Sequence, residues 1–156
     1  MSDAVARVPT GGRDWTAFLP AGLAGRALDE FTYSTVFLPI AAGATVTNSI
    51  NIQQDSDFVM LARYATVFDN VAGAFLAPLN WTLLVTFNDA GAGRLLMDAA
   101  QPLQNEFWTP AFPVRMWQPK LLRSSSTFQI TLNNFGANGL NVRLSLVGAK
   151  IFGMVG

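Results

Sequence analysis

The sequence predicts an all-β protein, an antiparallel β-sandwich or barrel preceded by an extended N-terminal arm. Several short segments alternate apolar and polar residues with a period of two, as half-buried strands do. Turn-forming Gly, Asn and Asp separate these segments, and no segment shows the spacing of an amphipathic helix. A chain of 156 residues can form one such core without disulfides. We therefore expect one sandwich domain over residues 31–156.

Residues 1–30 are predicted to be an N-terminal arm or an irregular lead-in to the domain. Six Pro and Gly residues interrupt this segment without any sustained period. Trp15, Phe18 and Leu19 are too apolar for a free tail, so we expect them to dock on this domain or on a neighbouring subunit. A strand-bearing start of the domain itself is the alternative. If residues 1–30 form an arm, we expect them to be ordered only when they contact a partner.

The first predicted strands lie between residues 31 and 68. Residues 31–40 and 58–68 are rich in β-branched and aromatic side chains, and each is bounded by turn signals. Between them, residues 45–53 place Val46, Ile50 and Ile52 on one face and Thr, Ser and Asn on the other. Residues 45–53 are therefore predicted to form a half-buried strand.

Three further strands follow. Residues 81–88 place Trp81 on the same face as Leu83, Val85 and Phe87, so this tryptophan belongs to the core. Residues 127–133 and 141–146 alternate in the same way, and the Asn- and Gly-rich residues 134–139 join them. This pair is predicted to form a hairpin. Between residues 101 and 119 four prolines forbid a helix interior and allow only an edge strand or an extended loop.

The composition excludes several classes of function. The chain has neither Cys nor His, which removes thiol nucleophiles, the commonest general base and the usual zinc ligands. Ten basic residues balance ten acidic ones, so we expect no nucleic-acid or anionic-lipid partner. The longest apolar stretch, residues 71–79, is too short to span a membrane. We expect no enzymatic activity, no cofactor and no metal.

Two polar motifs have ordinary structural explanations. Asp55 and Asp57 supply too few oxygens for Ca²⁺ and are interpreted as a solvated turn that caps backbone N–H groups. Gly91 and Gly93 are turn residues, and Arg94 is expected to pair with a carboxylate such as Asp89 or Asp98. A metal-independent hydrolase built on Asp55, Asp57 or Glu106 remains the enzymatic alternative.

The proline-rich segment carries an unusual density of aromatic residues. Phe107, Trp108, Phe112 and Trp117 lie close together in the sequence, and Arg115 lies among them. Interface cores favour Trp, Phe and Arg, so the segment is a candidate oligomer or capsid interface, together with Trp15 and Phe18 of the arm. A loop that covers the end of the sandwich and a carbohydrate-stacking platform are the two other interpretations.

The order of five segments resembles a known group of proteins. These are residues 50–58, 87–97, 107–115, 125–134 and 141–152, read in the printed sequence as INIQQDSDF, FNDAGAGRLLM, FWTPAFPVR, SSTFQITLNN and NVRLSLVGAKIF. In that succession the chain is similar to small virion proteins of tailed bacteriophages, the jelly-roll cement or decoration proteins. The resemblance covers about two-thirds of the chain and does not reach the first thirty residues.

The resemblance implies a fold, a location and partners. It implies a jelly roll that is made in the host cytoplasm and assembles, as a homotrimer, on the outer surface of the virion capsid. It also implies that the protein binds neighbouring copies of the major capsid protein and stabilises the contacts between them. A tail, neck or head-fibre component and a carbohydrate-binding β-sandwich module are the alternatives.

Overall fold

Residues 28–91 and 93–153 are the part of the chain described by the structure, a computed structural model. The predicted arm, including Trp15 and Phe18, lies outside the described residues apart from its last three positions. One short helix, α1 (Leu103–Glu106), and a 3-10 turn at Pro78–Asn80 accompany the strands. The strands in chain order are β1 (Leu28–Ile40), β2 (Thr45–Asn51), β3 (Asp57–Asp69), β4 (Leu83–Asp89), β5 (Arg94–Leu95), β6 (Gln101–Pro102), β7 (Val114–Leu122), β8 (Thr127–Asn134) and β9 (Leu140–Ile151).

The strands form two antiparallel sheets that pack as a β-sandwich, as the sequence predicts. One sheet has four strands in the order β1-β9-β3-β7, and the other has five, in the order β2-β8-β4-β5 with β6 also paired to β4. Consecutive strands lie in opposite sheets from β1 to β4 and again from β7 to β9. This connectivity is jelly-roll-like.

The core lies between the sheets and is built by the alternating strands. In β4 the pattern is regular, with Leu83, Val85 and Phe87 buried and the residues between them half-buried. Trp81 is also buried, which confirms its predicted place in the core. Because side chains on a strand point alternately to opposite faces, the period-two sequence pattern is enough to predict which residues face the core.

The predicted hairpin of residues 127–146 is wrong. β8 pairs with β2 and β4, whereas β9 pairs with β1 and β3, so the connection crosses from one sheet to the other. The apolar faces of β8 and β9 both line the core from opposite sides. Alternation predicts the buried face of each strand, but a hairpin and a crossover satisfy it equally well.

A single buried amide fixes this crossover. The Nδ2 group of Asn134 donates to the backbone oxygens of Ile40 (3.1 Å) and Asn138 (2.8 Å). Its Oδ1 accepts from the Thr82 hydroxyl and the Gly136 N–H, both at 3.0 Å. Asn134 therefore joins the ends of β1 and β8 to the segment before β4.

The proline-rich segment is one helical turn followed by an edge strand. α1 begins directly after Pro102, so one short turn of helix occurs where the sequence predicts only extended structure. A proline just before a helix removes no intrahelical hydrogen bond, which is why this position tolerates it. β7 is the predicted edge strand, and it pairs with β3.

β7 contains a wide bulge. Met60 pairs with Lys120 and Ala62 pairs with Arg115, so residues 116–119 lie opposite the single residue Leu61. Bulges bend an edge strand and change the direction of its side chains. This one lies in the middle of β7, and it includes Trp117.

Candidate functional site

The structure divides the predicted aromatic interface into a buried half and an exposed half. Phe107 is fully buried, and its ring centroid lies 5.6 Å from that of Phe87 in the core. Trp108 is half-buried, and its backbone oxygen accepts from the Ala65 N–H at 2.7 Å, so it extends the edge of the four-stranded sheet. The prediction that Phe107 belongs to an interface is therefore wrong, because its side chain follows α1 into the core.

The exposed half is a surface on the edge strand. Trp117 is 94% exposed and Phe112 is 73% exposed, and Arg115 is exposed between them. Met116 packs against the core, so alternation directs Arg115 and Trp117 away from it. We call Phe112, Arg115 and Trp117 the β7 edge patch.

A second exposed apolar surface lies at one end of the sandwich. Ile40, Asp69 and Leu140 are neighbours in register, so β1 and β3 end where β9 begins. Around this end, five apolar side chains are 58–84% exposed. We call this surface the apolar end, and it consists of Leu38, Val71, Phe75, Leu79 and Phe135.

Sequence reasoning missed the apolar end, although a signal for it was present. Residues 71–79 form the longest apolar stretch of the chain, yet they contain Gly73 and Pro78 and lie between strands. Turns are normally polar, so an apolar turn between two strands either packs or is exposed for contact. Residues 71–79 are too few to span a membrane, but the length of an apolar stretch does not indicate whether its side chains are exposed.

Backbone hydrogen bonds hold the loops of the apolar end together. The Asn70 N–H donates to the Gly139 oxygen at 2.9 Å, and the Trp81 indole N–H donates to the Leu76 oxygen at 3.0 Å. The rings of Phe68 and Phe75 lie 3.7 Å apart, centroid to centroid. The exposed side chains of this end therefore project from a fixed framework.

Asp69 is the single charged residue among the segments that form the apolar end. Its carboxylate accepts from the backbone N–H groups of Ala72 (3.0 Å) and Val71 (2.8 Å) and from the Asn138 amide (3.0 Å). These hydrogen bonds, the one from Ala72 most of all, lower the pKa of Asp69 below its usual value of 3.8. The Asp69 carboxylate thus stabilises the turn at residues 69–74.

The opposite end of the sandwich is charged. Asp57 is almost fully buried there and accepts from the Ser124 N–H (2.6 Å) and from Arg123 (3.1 Å). Arg94 lies 3.9 Å from Asp89, which confirms that it pairs with one of the two carboxylates suggested by the sequence. Other charged residues at this end are Asp29, Glu30, Asp55 and Lys150.

Asp55 and Asp57 differ more than the sequence suggests. Asp57 caps a backbone N–H, as predicted, but it is buried rather than solvated. The side chain of Asp55 is 57% exposed and lies 3.6 Å from the Lys150 ammonium. The two carboxylates therefore have separate partners, and both serve the β2–β3 connection and its neighbours.

The outer face of the five-stranded sheet carries uncharged polar side chains in rows. The Thr47 and Thr131 hydroxyls are 2.7 Å apart, and Asn133 donates to the Thr45 hydroxyl at 2.8 Å. Thr86 is in register with Thr131 on the next strand. Cross-strand pairs of this kind stabilise a sheet without charged side chains.

Within residues 28–91 and 93–153, no group of three or more acidic side chains is arranged to hold a metal ion. In the same part of the chain, no helix is long and apolar enough to cross a membrane.

Comparisons with known proteins leave the chain without a family assignment. No family model matches the sequence, and a search of curated proteins finds no match.

Proposed function

We propose that this protein is a non-enzymatic structural protein of a virion, a cement or decoration protein on the outer surface of a bacteriophage capsid. It forms a homo-oligomer, a trimer, and binds the major capsid protein. The resemblance of five sequence segments to such proteins and the jelly-roll-like strand order support this proposal.

The observation that carries the proposal is the presence of two separate exposed apolar surfaces. The β7 edge patch lies on a side of the sandwich, and the apolar end lies at the end where β1 and β3 stop. An oligomer bound to a shell needs one surface for its own copies and another for the shell. Exposed apolar patches on a small protein are typical of such contacts.

The two surfaces have different roles in this proposal. β7 is an edge strand, and its outer edge pairs with no strand in the described part of the chain. An unpaired strand edge beside the exposed Trp117 suits a contact with a second copy. When subunits meet side by side around an axis parallel to their strands, their ends face along that axis. The apolar end then faces the shell.

The expected energies explain why assembly is needed. Burial of one Leu, Val or Phe side chain contributes about 1.5–3 kcal/mol, so the five residues of the apolar end contribute roughly 10 kcal/mol. Association costs about 4–15 kcal/mol in lost freedom of motion. One subunit therefore binds a shell weakly. Three linked apolar ends bind much more tightly, because the second and third contacts form at a high effective concentration.

A carbohydrate-binding module is the second candidate, and one observation favours it. The exposed Trp117 is followed by the exposed Gln118, and an aromatic ring beside an amide suits a sugar. A stacking platform uses several rings, and Trp108 is half-buried with its ring centroid 6.5 Å from that of Trp81. Among the tryptophans of the described residues only Trp117 is exposed, so they do not form a row of exposed indole rings.

The proposal is tested by light scattering followed by co-sedimentation with capsid shells in the same sample. We expect three times the 16.8 kDa chain mass and a protein that pellets with shells. The variant Phe112→Ala/Trp117→Ala should lower the oligomer mass. Its control, Leu79→Ala/Phe135→Ala, removes two exposed apolar side chains elsewhere and should keep the mass while pelleting less. A monomer that stays in the supernatant and binds glycans on an array would overturn the proposal.

A further inference from the structure

A cavity of about 220 Å³ opens on the side of the sandwich that holds β7. It lies between the β3–β7 edge of one sheet and the β4–β6 edge of the other, and α1 borders it. It has room for about seven water molecules, at about 30 Å³ each. Any organic ligand must therefore be small.

Arg63 forms an inner wall of this cavity. Its guanidinium carbon lies 5.0 Å from the ring centroid of Phe87 and 5.5 Å from that of Phe107. Its Nη2 group donates to the Glu106 carboxylate at 2.8 Å. The buried Nε has no acceptor within hydrogen-bond distance in the described part of the protein. A buried charged donor without an acceptor is destabilising, so a further negative charge beside the Arg63 guanidinium would be favourable.

The cavity carries an excess of positive charge. Arg63 and Lys120 supply two cations, and Glu106 supplies one anion. Among the described residues, the Lys120 ammonium makes no ion pair and no hydrogen bond, and it lies at the half-exposed rim. Burial lowers the pKa of Arg63, while Glu106 opposes that shift. A guanidinium remains charged at neutral pH in either case. The lining can therefore accept one more negative charge.

The rest of the lining is apolar and adaptable. Met60, Met97 and Met116 contribute thioether side chains, which adjust to irregular shapes. Met116 lies in the β7 bulge, opposite Leu61, and Lys120 directly follows the bulge. The bulge thus places one apolar and one cationic residue at the mouth of the cavity. Bulges often lie beside binding sites for this reason.

We propose that this cavity binds a short-chain organic carboxylate. The carboxylate accepts from the Lys120 ammonium and lies beside the Arg63 guanidinium, and the alkyl chain lies against the three methionines. The cavity opens beside the β7 edge patch, because Met116 and Lys120 also lie on β7. Binding of the carboxylate requires neither the oligomer nor the shell, so it is tested independently of the proposed function.

The test is an NMR titration of the methionine methyl groups with hexanoate. We expect saturable shifts at Met60, Met97 and Met116, with 1-hexanol and acetate each binding at least tenfold more weakly, since one lacks the charge and the other the chain. Lys120→Met should weaken hexanoate binding at least tenfold, because a charge-assisted hydrogen bond is lost. Arg143→Met, which removes an exposed cation outside the cavity, should leave it unchanged.

A second variant guards against misfolding as an explanation. Met97→Trp fills the cavity with a larger side chain and should abolish the hexanoate shifts while the urea midpoint remains close to that of the parent protein. Equal binding of hexanoate and hexanol, unshifted cavity methyls, or an unchanged affinity in Lys120→Met would each overturn the proposal.

Discussion

The two ends of the sandwich are built on opposite principles. At the apolar end, five apolar side chains are exposed, Asp69 is the only charge, and the buried amide of Asn134 holds the loops. At the charged end, ion pairs and the buried carboxylate of Asp57 hold the loops instead. The exposed apolar residues thus carry little of the stability. These exposed residues are available for contact with another protein. The residues that stabilise the loops of each end can be substituted independently of one another.

The largest expected effect is at Asn134. Asn134→Ala removes four hydrogen bonds and leaves buried partners unsatisfied, so we expect it to lower the free energy of unfolding by about 3 kcal/mol. Urea unfolding measures this change. Asn133→Ala, the neighbouring residue on the outer face, should cost less than about 1 kcal/mol. Equal losses in the two variants would show that Asn134 does not organise the apolar end.

At the charged end, the effect of Asp57 should be smaller but distinct. Asp57→Ala deprives the Ser124 N–H and Arg123 of their acceptor, and we expect a loss of about 2 kcal/mol. Asp55→Ala removes an exposed ion pair with Lys150 and should change stability by less than about 0.5 kcal/mol. Comparable losses from the two substitutions would mean that burial of Asp57 is not what matters.

The smallest of these effects concerns the titration of Asp69. Because its pKa is lowered in the folded protein, its stabilising contribution is complete above the usual value of 3.8 and is lost as pH falls through the lower folded value. A carbon-detected NMR titration should place its midpoint below 3.8. Asn138→Ala, which removes one donor, should move the midpoint upward. A midpoint at or above 3.8 in the parent protein would contradict the described turn.

Much of the fold follows from the sequence because strand periodicity reports burial directly. The strands predicted over residues 45–53, 81–88 and 127–133 are observed at residues 45–51, 83–89 and 127–134 with the predicted buried faces, since alternation has a single solution for each strand. The partner of each strand did not follow. The link at 134–139 contains the usual turn residues, and the crossover is defined by the pairing of β8 with β2 and β4 and of β9 with β1 and β3, which sequence alternation does not specify.

The candidate surfaces followed from the sequence only in part. The aromatic density of residues 107–117 indicated a contact region, but composition cannot tell the buried Phe107 from the exposed Trp117. That distinction depends on α1 and on the β7 bulge, which are set by tertiary packing. The apolar end is assembled from the end of β1 and from two loops that are distant in the sequence, and only the strand register brings Leu38, Leu79 and Phe135 to the same end.

The most direct test of the central claim is a comparison of shell binding by variants of the two ends. Val71→Ser/Leu79→Ser removes two exposed apolar side chains and should change stability by no more than about 0.5 kcal/mol. Asp29→Ser/Glu30→Ser is the matched change at the charged end. We predict that the first variant remains a trimer but loses at least tenfold in co-sedimentation with capsid shells, while the second pellets like the parent protein. Equal pelleting of both variants, or loss in the charged-end variant alone, would contradict the account.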